Sequence, residues 1–146
     1  GDTWKRGGGG TWSSYTLDTA TGELFVPVAN PSPDLDAGAR KGANLFTNAM
    51  LVLDARTGQR LWHYQTRPND NHDYGVAPPA VLLTSKKGRA IVAQGSKDGF
   101  VYTLDRKTRR LMYKTPVTTI FNHNVDATPE GVKKLHAANP KLKIVQ

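Results

Sequence analysis

The chain has 146 residues, of which 14 are glycine, 9 are proline and none is cysteine. This length allows one buried core, and the lack of cysteine excludes disulfides and thiolate metal sites within the chain. The longest apolar run, around residues 50–53, is too short to cross a membrane. The formal net charge of +8 is carried by lysines and arginines without interleaved aromatic residues, so we expect a solvated basic surface and no nucleic-acid partner.

Short β-rich runs separated by turn residues predict an all-β fold. Three turns share an Asp-x-x-Thr pattern that begins at Asp18, Asp54 and Asp105. In this pattern the Asp side chain can accept backbone N–H groups, and a glycine after the Thr takes a positive φ. The third turn has Arg109 in place of that glycine, so we expect it to be strained or differently shaped. The predicted strands are 16–18, 24–29, 49–54, 60–65, 80–83, 90–94, 100–105 and 110–115.

The second and third of these turns belong to a longer repeat. Asp54 and Asp105 are 51 residues apart, and Trp62 and Tyr113 have the same separation. A fixed period of this length indicates repeated four-stranded units, as in a β-propeller, although a β-sandwich also fits the strand pattern. At roughly 50 residues per unit the chain holds about three blades, whereas propellers close with about four to eight. Residues 1–146 are therefore either part of a larger propeller domain or one of several chains that assemble, and we favour the former interpretation.

The C-terminal segment has a different pattern. Thr128 and Pro129 have the residue types of an N-cap and a first helical position. A helix of about two turns over 131–138 would then end before Pro140. We expect 126–146 to form a loop or helix outside the sheet scaffold.

The segment Val-Leu-Asp-Ala-Arg-Thr-Gly-Gln-Arg-Leu-Trp at residues 52–62 resembles the tryptophan-docking motif of the quinoprotein dehydrogenases. That family forms eight-bladed β-propellers that use pyrroloquinoline quinone (PQQ) and a metal to oxidise alcohols or sugars. The resemblance extends from Gly7 to about Pro129, with the motifs in the family's order. It implies part of an eight-bladed propeller, a periplasmic location, an alcohol or sugar substrate, and a cytochrome c or a quinone as electron acceptor.

Two motifs in the first third of the chain are similar to cofactor and metal segments of that family. Gly-Gly-Gly-Thr-Trp at residues 8–12 resembles its glycine-rich segment, which implies that Trp12 forms the floor under the quinone rings. A flat cofactor gains from stacking on a broad aromatic surface. Asn30, 18 residues later, resembles the family's asparagine metal ligand, and an amide oxygen suits Ca²⁺. Without the resemblance, the preferred interpretations are a core residue for Trp12 and a turn before Pro31 for Asn30.

The segment Asn-Asp-Asn-His-Asp-Tyr at residues 69–74 resembles the family's catalytic loop. The resemblance implies that Asp73 takes the proton from the substrate hydroxyl and lies beside the metal. His72 stands where the family usually has tryptophan, which leaves the shape of the substrate pocket open. Lanthanide-using members carry a second acid two residues after the base, and Gly75 at that position points to Ca²⁺.

The segment Gln-Gly-Ser-Lys-Asp-Gly at residues 94–99 resembles the family segment that carries a basic contact to the quinone oxygens. Lys97 would then stabilise negative charge as hydride arrives. Two other functions stay open from the residues alone. One is a propeller of the same repeat family that acts as a scaffold for protein partners and has no need of Asp73, Asn30 or Lys97. The other is a basic β-domain that binds an acidic partner.

Overall fold

The computed structural model describes residues 7–117, and these residues form eight β-strands in two four-stranded antiparallel sheets. The helix predicted over 131–138 and the whole segment 126–146 lie outside the described residues. Within residues 7–117 there is no helix with the length and apolarity needed to cross a membrane. The strands are β1 (Thr16–Asp18), β2 (Glu23–Val28), β3 (Ala49–Asp54), β4 (Arg60–Gln65), β5 (Val81–Thr84), β6 (Ala90–Gly95), β7 (Phe100–Asp105) and β8 (Leu111–Pro116).

Each sheet is a simple meander in which every strand pairs with the next one along the chain. The first sheet has the order β1-β2-β3-β4 and the second the order β5-β6-β7-β8. The 51-residue period of the sequence is a period of the structure, since it relates β3 to β7 and β4 to β8. It also relates the two register shifts, at Val52/Leu53 and Thr103/Leu104. The prediction of repeated four-stranded units is therefore confirmed for the described residues.

The two sheets pack face to face around one hydrophobic core. Phe25 and Trp62 of the first sheet meet edge to face, with ring centroids 6.1 Å apart. Tyr64 of β4 reaches Tyr102 of β7 across the interface, at 5.8 Å between centroids. Each large apolar side chain buried in this way contributes about 1.5–3 kcal/mol. The core residues are Phe25, Met50, Val52, Trp62, Ala80, Val92, Tyr102 and Leu104.

The sheets are stacked in the same sense, as successive blades of a propeller are. Val52 and Trp62 form a cross-strand pair on the face of the first sheet that meets the second. Their equivalents 51 residues later, Thr103 and Tyr113, also form a pair, but on the outer face of the second sheet. Tyr113 is accordingly 61% exposed. An apolar face of this kind needs a further partner, which fits a propeller larger than these two sheets.

The short turns that join β1 to β2, β3 to β4, β5 to β6 and β7 to β8 lie at one end of the structure. In the three Asp-x-x-Thr turns the first carbonyl accepts the N–H of Gly22, Gly58 or Arg109 at 2.7–2.8 Å. Arg109 has a φ of 60°, close to the 75° and 72° of the two glycines. The third turn therefore keeps the shape of the others, and the strain expected at Arg109 is present.

An ion-pair cluster joins the two sheets at this same end. Arg106, in the β7–β8 turn, places Nη2 2.5 Å from both Asp18 Oδ2 and Glu23 Oε2. The other oxygen of Glu23 accepts the indole N–H of Trp62 at 3.3 Å. The hydrogen bond from Arg106 holds the pKa of Asp18 below its usual range. The core tryptophan and the turn of the next sheet thus share one carboxylate.

Candidate functional site

The opposite end of the two sheets carries the long β2–β3 and β4–β5 connections and the short β6–β7 turn, and three of the four predicted site residues lie there. Asn30 follows β2, Asp73 lies between β4 and β5, and Lys97 lies in the β6–β7 turn. Lys97 Nζ is 2.6 Å from Asp73 Oδ2, with side chains 35% and 44% exposed, respectively. The backbone N–H of Lys97 donates to the Gly75 carbonyl at 3.2 Å. An accessible carboxylate from the connection between the sheets and an ammonium group from a turn of the second sheet therefore form a pair at this end.

Asn30 packs against the backbone that follows Asp73. A Cβ atom placed on Gly75 would lie 2.9 Å from Asn30 N and 3.1 Å from Asn30 Oδ1. It would also lie 3.2 Å from the Cα of Ala29. These distances leave no room for a side chain at position 75, because two of the atoms are backbone. The absence of a side chain at Gly75 is what brings Asn30 and the Asp73 loop together.

The glycine segment that precedes Trp12 lies beside this end of the sheets. The Gly10 carbonyl accepts the N–H of Ala29 at 2.9 Å, so the segment runs beside the end of β2 that carries Asn30. A Cβ atom at Gly9 would lie 2.4 Å from Thr47 Cγ2, which explains one of the glycines by close packing. Trp12 itself is 65% exposed, whereas Trp62 is 5% exposed. Within the described residues, Trp12 therefore lies outside the hydrophobic core that contains Trp62.

Asp70 is a member of the candidate site that sequence reasoning did not single out. Its side chain is fully buried and lies 3.2 Å from Arg67 Nε through Oδ1. The same carboxylate accepts the backbone N–H groups of His72 at 3.1 Å and Tyr74 at 2.7 Å. The signal in the sequence was an Asp two residues before His72, the spacing of an Asx turn. Asp70 thus organises the backbone on both sides of Asp73.

Aromatic packing fixes the same loop from outside. The rings of His72 and Tyr74 stack with centroids 5.1 Å apart and an interplanar angle of 9°. The Arg67 guanidinium lies 5.0 Å from the centroid of the Tyr74 ring. His72 Nδ1 is buried and has no hydrogen-bond partner among residues 7–117. The His72 ring is therefore a packed part of the loop.

The turn that carries Lys97 is held by its own buried pair. The Tyr102 hydroxyl donates to Asp98 Oδ2, and Asp98 Oδ1 accepts the N–H of Phe100 at 3.4 Å. Burial raises the pKa of Tyr102 far above its usual range, so the hydroxyl keeps its proton. Ser96 Oγ also donates to the Tyr74 carbonyl at 3.2 Å. The Lys97 turn and the Asp73 loop are consequently held as one unit.

A separate groove of about 360 Å³ lies between the glycine segment and the β2–β3 connection. Its walls include Gly9, Leu45, Phe46 and Leu51. Asp73 and Lys97 are not among its lining residues. The groove therefore borders the candidate site through the glycine segment but does not contain the carboxylate and ammonium pair.

Two sheets stacked as successive blades, with polar side chains at one end, define the chain as part of a β-propeller. The family model described as "PQQ: Glucose/ethanol/alcohol dehydrogenase, beta-propeller domain" matches residues 1–133. The chain belongs to this family of quinoprotein dehydrogenase propellers. The predicted membership, the all-β fold and the propeller architecture are confirmed.

Two curated relatives and one solved structure show how similar the chain is to known dehydrogenases and how much of each it covers. The chain is 33% identical over 141 residues to quinohemoprotein alcohol dehydrogenase of Comamonas testosteroni, with 90% of the chain and 20% of the relative covered. It is 36% identical over 110 residues to methanol dehydrogenase [cytochrome c] subunit 1 of Methylorubrum extorquens, covering 73% and 17%. A solved structure of a europium-containing methanol dehydrogenase superposes with a TM-score of 0.75 at 33% identity, covering 82% of the chain and 21% of that structure. The chain spans about a fifth of the length of these relatives.

Proposed function

We propose that this chain is part of a PQQ-dependent dehydrogenase that oxidises an alcohol or a sugar by base-assisted hydride transfer to the quinone. The observation that carries the proposal is the contact between Asp73 and Lys97, 2.6 Å apart, beside Asn30 at one end of the stacked sheets. Membership of the family supports this chemistry, since the family model is named for glucose, ethanol and alcohol dehydrogenases.

Asp73 is the proposed general base. Its carboxylate is partly exposed and lies 2.6 Å from the Lys97 ammonium through Oδ2. A carboxylate that is accessible from solvent can accept the proton of a substrate hydroxyl placed within hydrogen-bond distance. The proton passes from the hydroxyl oxygen to Asp73 while the hydride leaves the carbon of the same alcohol. Asp73 thereby prevents the unfavourable accumulation of positive charge on the oxidised product.

Lys97 and Trp12 are the proposed cofactor contacts. The quinone, when bound, supplies the acceptor for the hydride. Lys97 has an ammonium group within reach of both the base and a ligand at the site, so it can stabilise negative charge as hydride arrives. Trp12 offers an indole that is 65% exposed, which suits stacking against a planar ring system. Both roles follow from side-chain chemistry together with the family resemblance.

The candidate site supplies some of the oxygen ligands that a hard divalent cation requires. Asn30 and Asp73 provide an amide oxygen and a carboxylate, which are ligands that Ca²⁺ accepts. The described residues contain no group of three or more His, Cys, Asp or Glu side chains that could hold a metal. Ca²⁺ takes about 6–8 oxygen ligands, so the remaining donors would come from other parts of the protein, from the quinone or from water.

Calcium is the proposed ion rather than a lanthanide. Gly75 provides no carboxylate two residues after Asp73. A Cβ atom at Gly75 would also lie 2.9 Å from the backbone nitrogen of Asn30, so an acid there would need a displaced strand end. The europium-containing relative shows that the fold accommodates a lanthanide in another member.

The names of relatives and the family resemblance support a proposal for the electron acceptor and the location. The name of one relative includes cytochrome c, and that of another describes a quinohemoprotein. We propose a cytochrome c as the acceptor of this protein and the periplasm as its location, with a membrane quinone as the alternative acceptor.

The test uses the full-length parent protein, reconstituted with PQQ and Ca²⁺, and dye reduction with a panel of alcohols and sugars. Asp73→Asn should lower kcat by about 10²–10⁴-fold, the usual contribution of a positioned base. Asp36→Asn is the matched control, since Asp36 accepts the N–H groups of Gly38 and Ala39 in a separate loop. Full turnover in Asp73→Asn would exclude Asp73 as the base. A purified protein that binds no quinone would favour the scaffold function instead.

A further inference from the structure

Asp73 has a left-handed backbone conformation, which few residues with a Cβ adopt. Its φ is 58°, a region that L-residues populate mainly as single positions in turns and strained sites. Such strain persists where surrounding contacts impose it. The contacts around Asp73 therefore determine where its carboxylate points.

The carboxylate of Asp70 supplies the contacts on both sides of this strained residue. Oδ1 accepts the N–H of His72 at 3.1 Å, and Oδ2 accepts the N–H of Tyr74 at 2.7 Å. These two amides belong to the residues immediately before and after Asp73. One rigid, planar group thus holds the peptide unit between residues 73 and 74, which directly follows Asp73, and the unit between residues 71 and 72, one residue before it.

Asp70 is itself firmly held. It is fully buried, and Arg67 Nε lies 3.2 Å from Oδ1. Its own carbonyl accepts a hydrogen bond from Arg40, whose side chain also reaches Asn69 Oδ1 at 3.3 Å. Arg40 comes from the β2–β3 connection, the same connection that carries Asn30. The position of the Asp73 loop is thereby set relative to the first sheet.

We infer that Asp70 is a positioning residue, which holds the Asp73 carboxylate in place for proton transfer and for the metal without touching the substrate. This role rests on the proposed function of Asp73. A buried carboxylate that accepts two backbone N–H groups and contacts an arginine is poorly replaced by an amide, because the amide NH₂ would face another donor. Asp70→Asn should consequently release the loop, and a base displaced by about 1 Å can lose on the order of 10²-fold in rate.

The first measurement needs neither quinone nor substrate. Hydrogen exchange of the His72 and Tyr74 amides in the full-length, quinone-free protein should become at least about tenfold faster in Asp70→Asn, since their acceptor is weakened. Asp54→Asn is the matched control, because Asp54 also accepts two backbone N–H groups, from Arg56 and Thr57, at the other end of the sheet. Unchanged exchange at His72 and Tyr74 in Asp70→Asn would overturn the inference.

The second measurement separates positioning from general stability. In reconstituted protein, with active sites counted by bound quinone, Asp70→Asn should lower kcat per site by at least about tenfold. It should also weaken the binding of Ca²⁺ to the quinone-free protein, while KM changes by less than about threefold. Faster exchange with an unchanged kcat per site would mean that Asp70 is merely structural and would overturn the inference.

A milder variant covers the case in which Asp70→Asn fails to fold. Arg67→Lys keeps the charge but removes the Nε contact to Asp70 at a residue that is 40% exposed. It should accelerate exchange at Tyr74 and lower kcat by a smaller factor, and no change in either would overturn the inference. If the wild-type protein oxidised no alcohol or sugar, the proposed function would be refuted, and Asp70 would then have no catalytic base to position. An active wild type with an unaffected Asp70→Asn variant would refute the positioning role alone.

Discussion

Arg109 occupies a turn position that favours glycine, and replacing it should stabilise the protein. The N–H of Arg109 donates to the Asp105 carbonyl at 2.7 Å, the same bond that Gly22 and Gly58 make in their turns. A residue with a Cβ at this φ of 60° loses about 1–2 kcal/mol relative to right-handed backbone. Glycine removes that strain but adds about 0.5–1 kcal/mol of backbone entropy to the unfolded chain. The expected net gain for Arg109→Gly is therefore roughly 0.5–1 kcal/mol.

The assay is urea unfolding of the full-length protein, with the denaturant midpoint compared at constant slope. Arg109→Lys keeps both the charge and the Cβ, so its free energy of unfolding should stay within about 0.5 kcal/mol of the wild type. Gly58→Arg is the reverse substitution in an equivalent turn and serves as a second control. Gly58 has a φ of 72° in the equivalent turn, so the free energy of unfolding should fall by a similar amount.

Two results would show that the conformation of Arg109 does not destabilise the protein. If Arg109→Gly were neutral or destabilising, the positive φ would carry no net cost in this turn. If Arg109→Gln, which removes the charge but keeps the Cβ, stabilised the protein as much as Arg109→Gly, relief of repulsion among basic residues would be the cause. The prediction therefore separates conformational strain from charge.

Two further predictions concern packing and pH. Gly75→Ala should destabilise the protein by about 1–3 kcal/mol and weaken Ca²⁺ binding, because the added Cβ meets the backbone of Asn30 at 2.9 Å. Gly8→Ala is its control, since a Cβ there meets nothing within 4 Å, and equal unfolding midpoints for the two variants would contradict the steric argument. The hydrogen bond from Arg106 lowers the pKa of Asp18 below the usual 3.8, so the pair stabilises the fold above that pH and the stabilisation is lost as the pH falls through the lowered pKa. Arg106→Gln should therefore lose less stability between pH 6 and pH 2 than the wild type, and parallel pH curves would argue against the pair.

The strands could be predicted because the signals that define them are local. The Asp-x-x-Thr turns and the alternating apolar residues place the predicted β3 and β4 at the observed bounds, Ala49–Asp54 and Arg60–Gln65. The 51-residue period identified the repeat before any contact was known. The predicted β2 and β8 were displaced by one residue from the observed Glu23–Val28 and Leu111–Pro116, which is the usual uncertainty at strand ends.

The arrangement of the site depends on contacts between distant residues, and these could not be read from the sequence. Asp73 and Lys97 belong to separate motifs of the sequence, and their 2.6 Å contact joins the connection between the sheets to a turn of the second sheet. The sequence does not distinguish Asp70, because an acid in a polar loop is normally exposed, whereas here it is fully buried. The buried Arg40, 4% exposed, gave no periodic signal either.

Backbone strain separates the two ends of the structure in a way that bears on function. Four non-glycine residues with positive φ, Asn44, Asn48, Asn69 and Asp73, lie in the long connections of the site end, and Arg109 lies at the turn end. At Arg109 the side chain is dispensable for the turn, so the strain can be removed by glycine. At Asp73 the strain comes with the carboxylate that the proposed chemistry requires, so glycine would relieve it only by abolishing the base. Strain that cannot be relieved without losing a reactive group must be maintained by neighbours, and the buried Asp70 is the neighbour placed to maintain it.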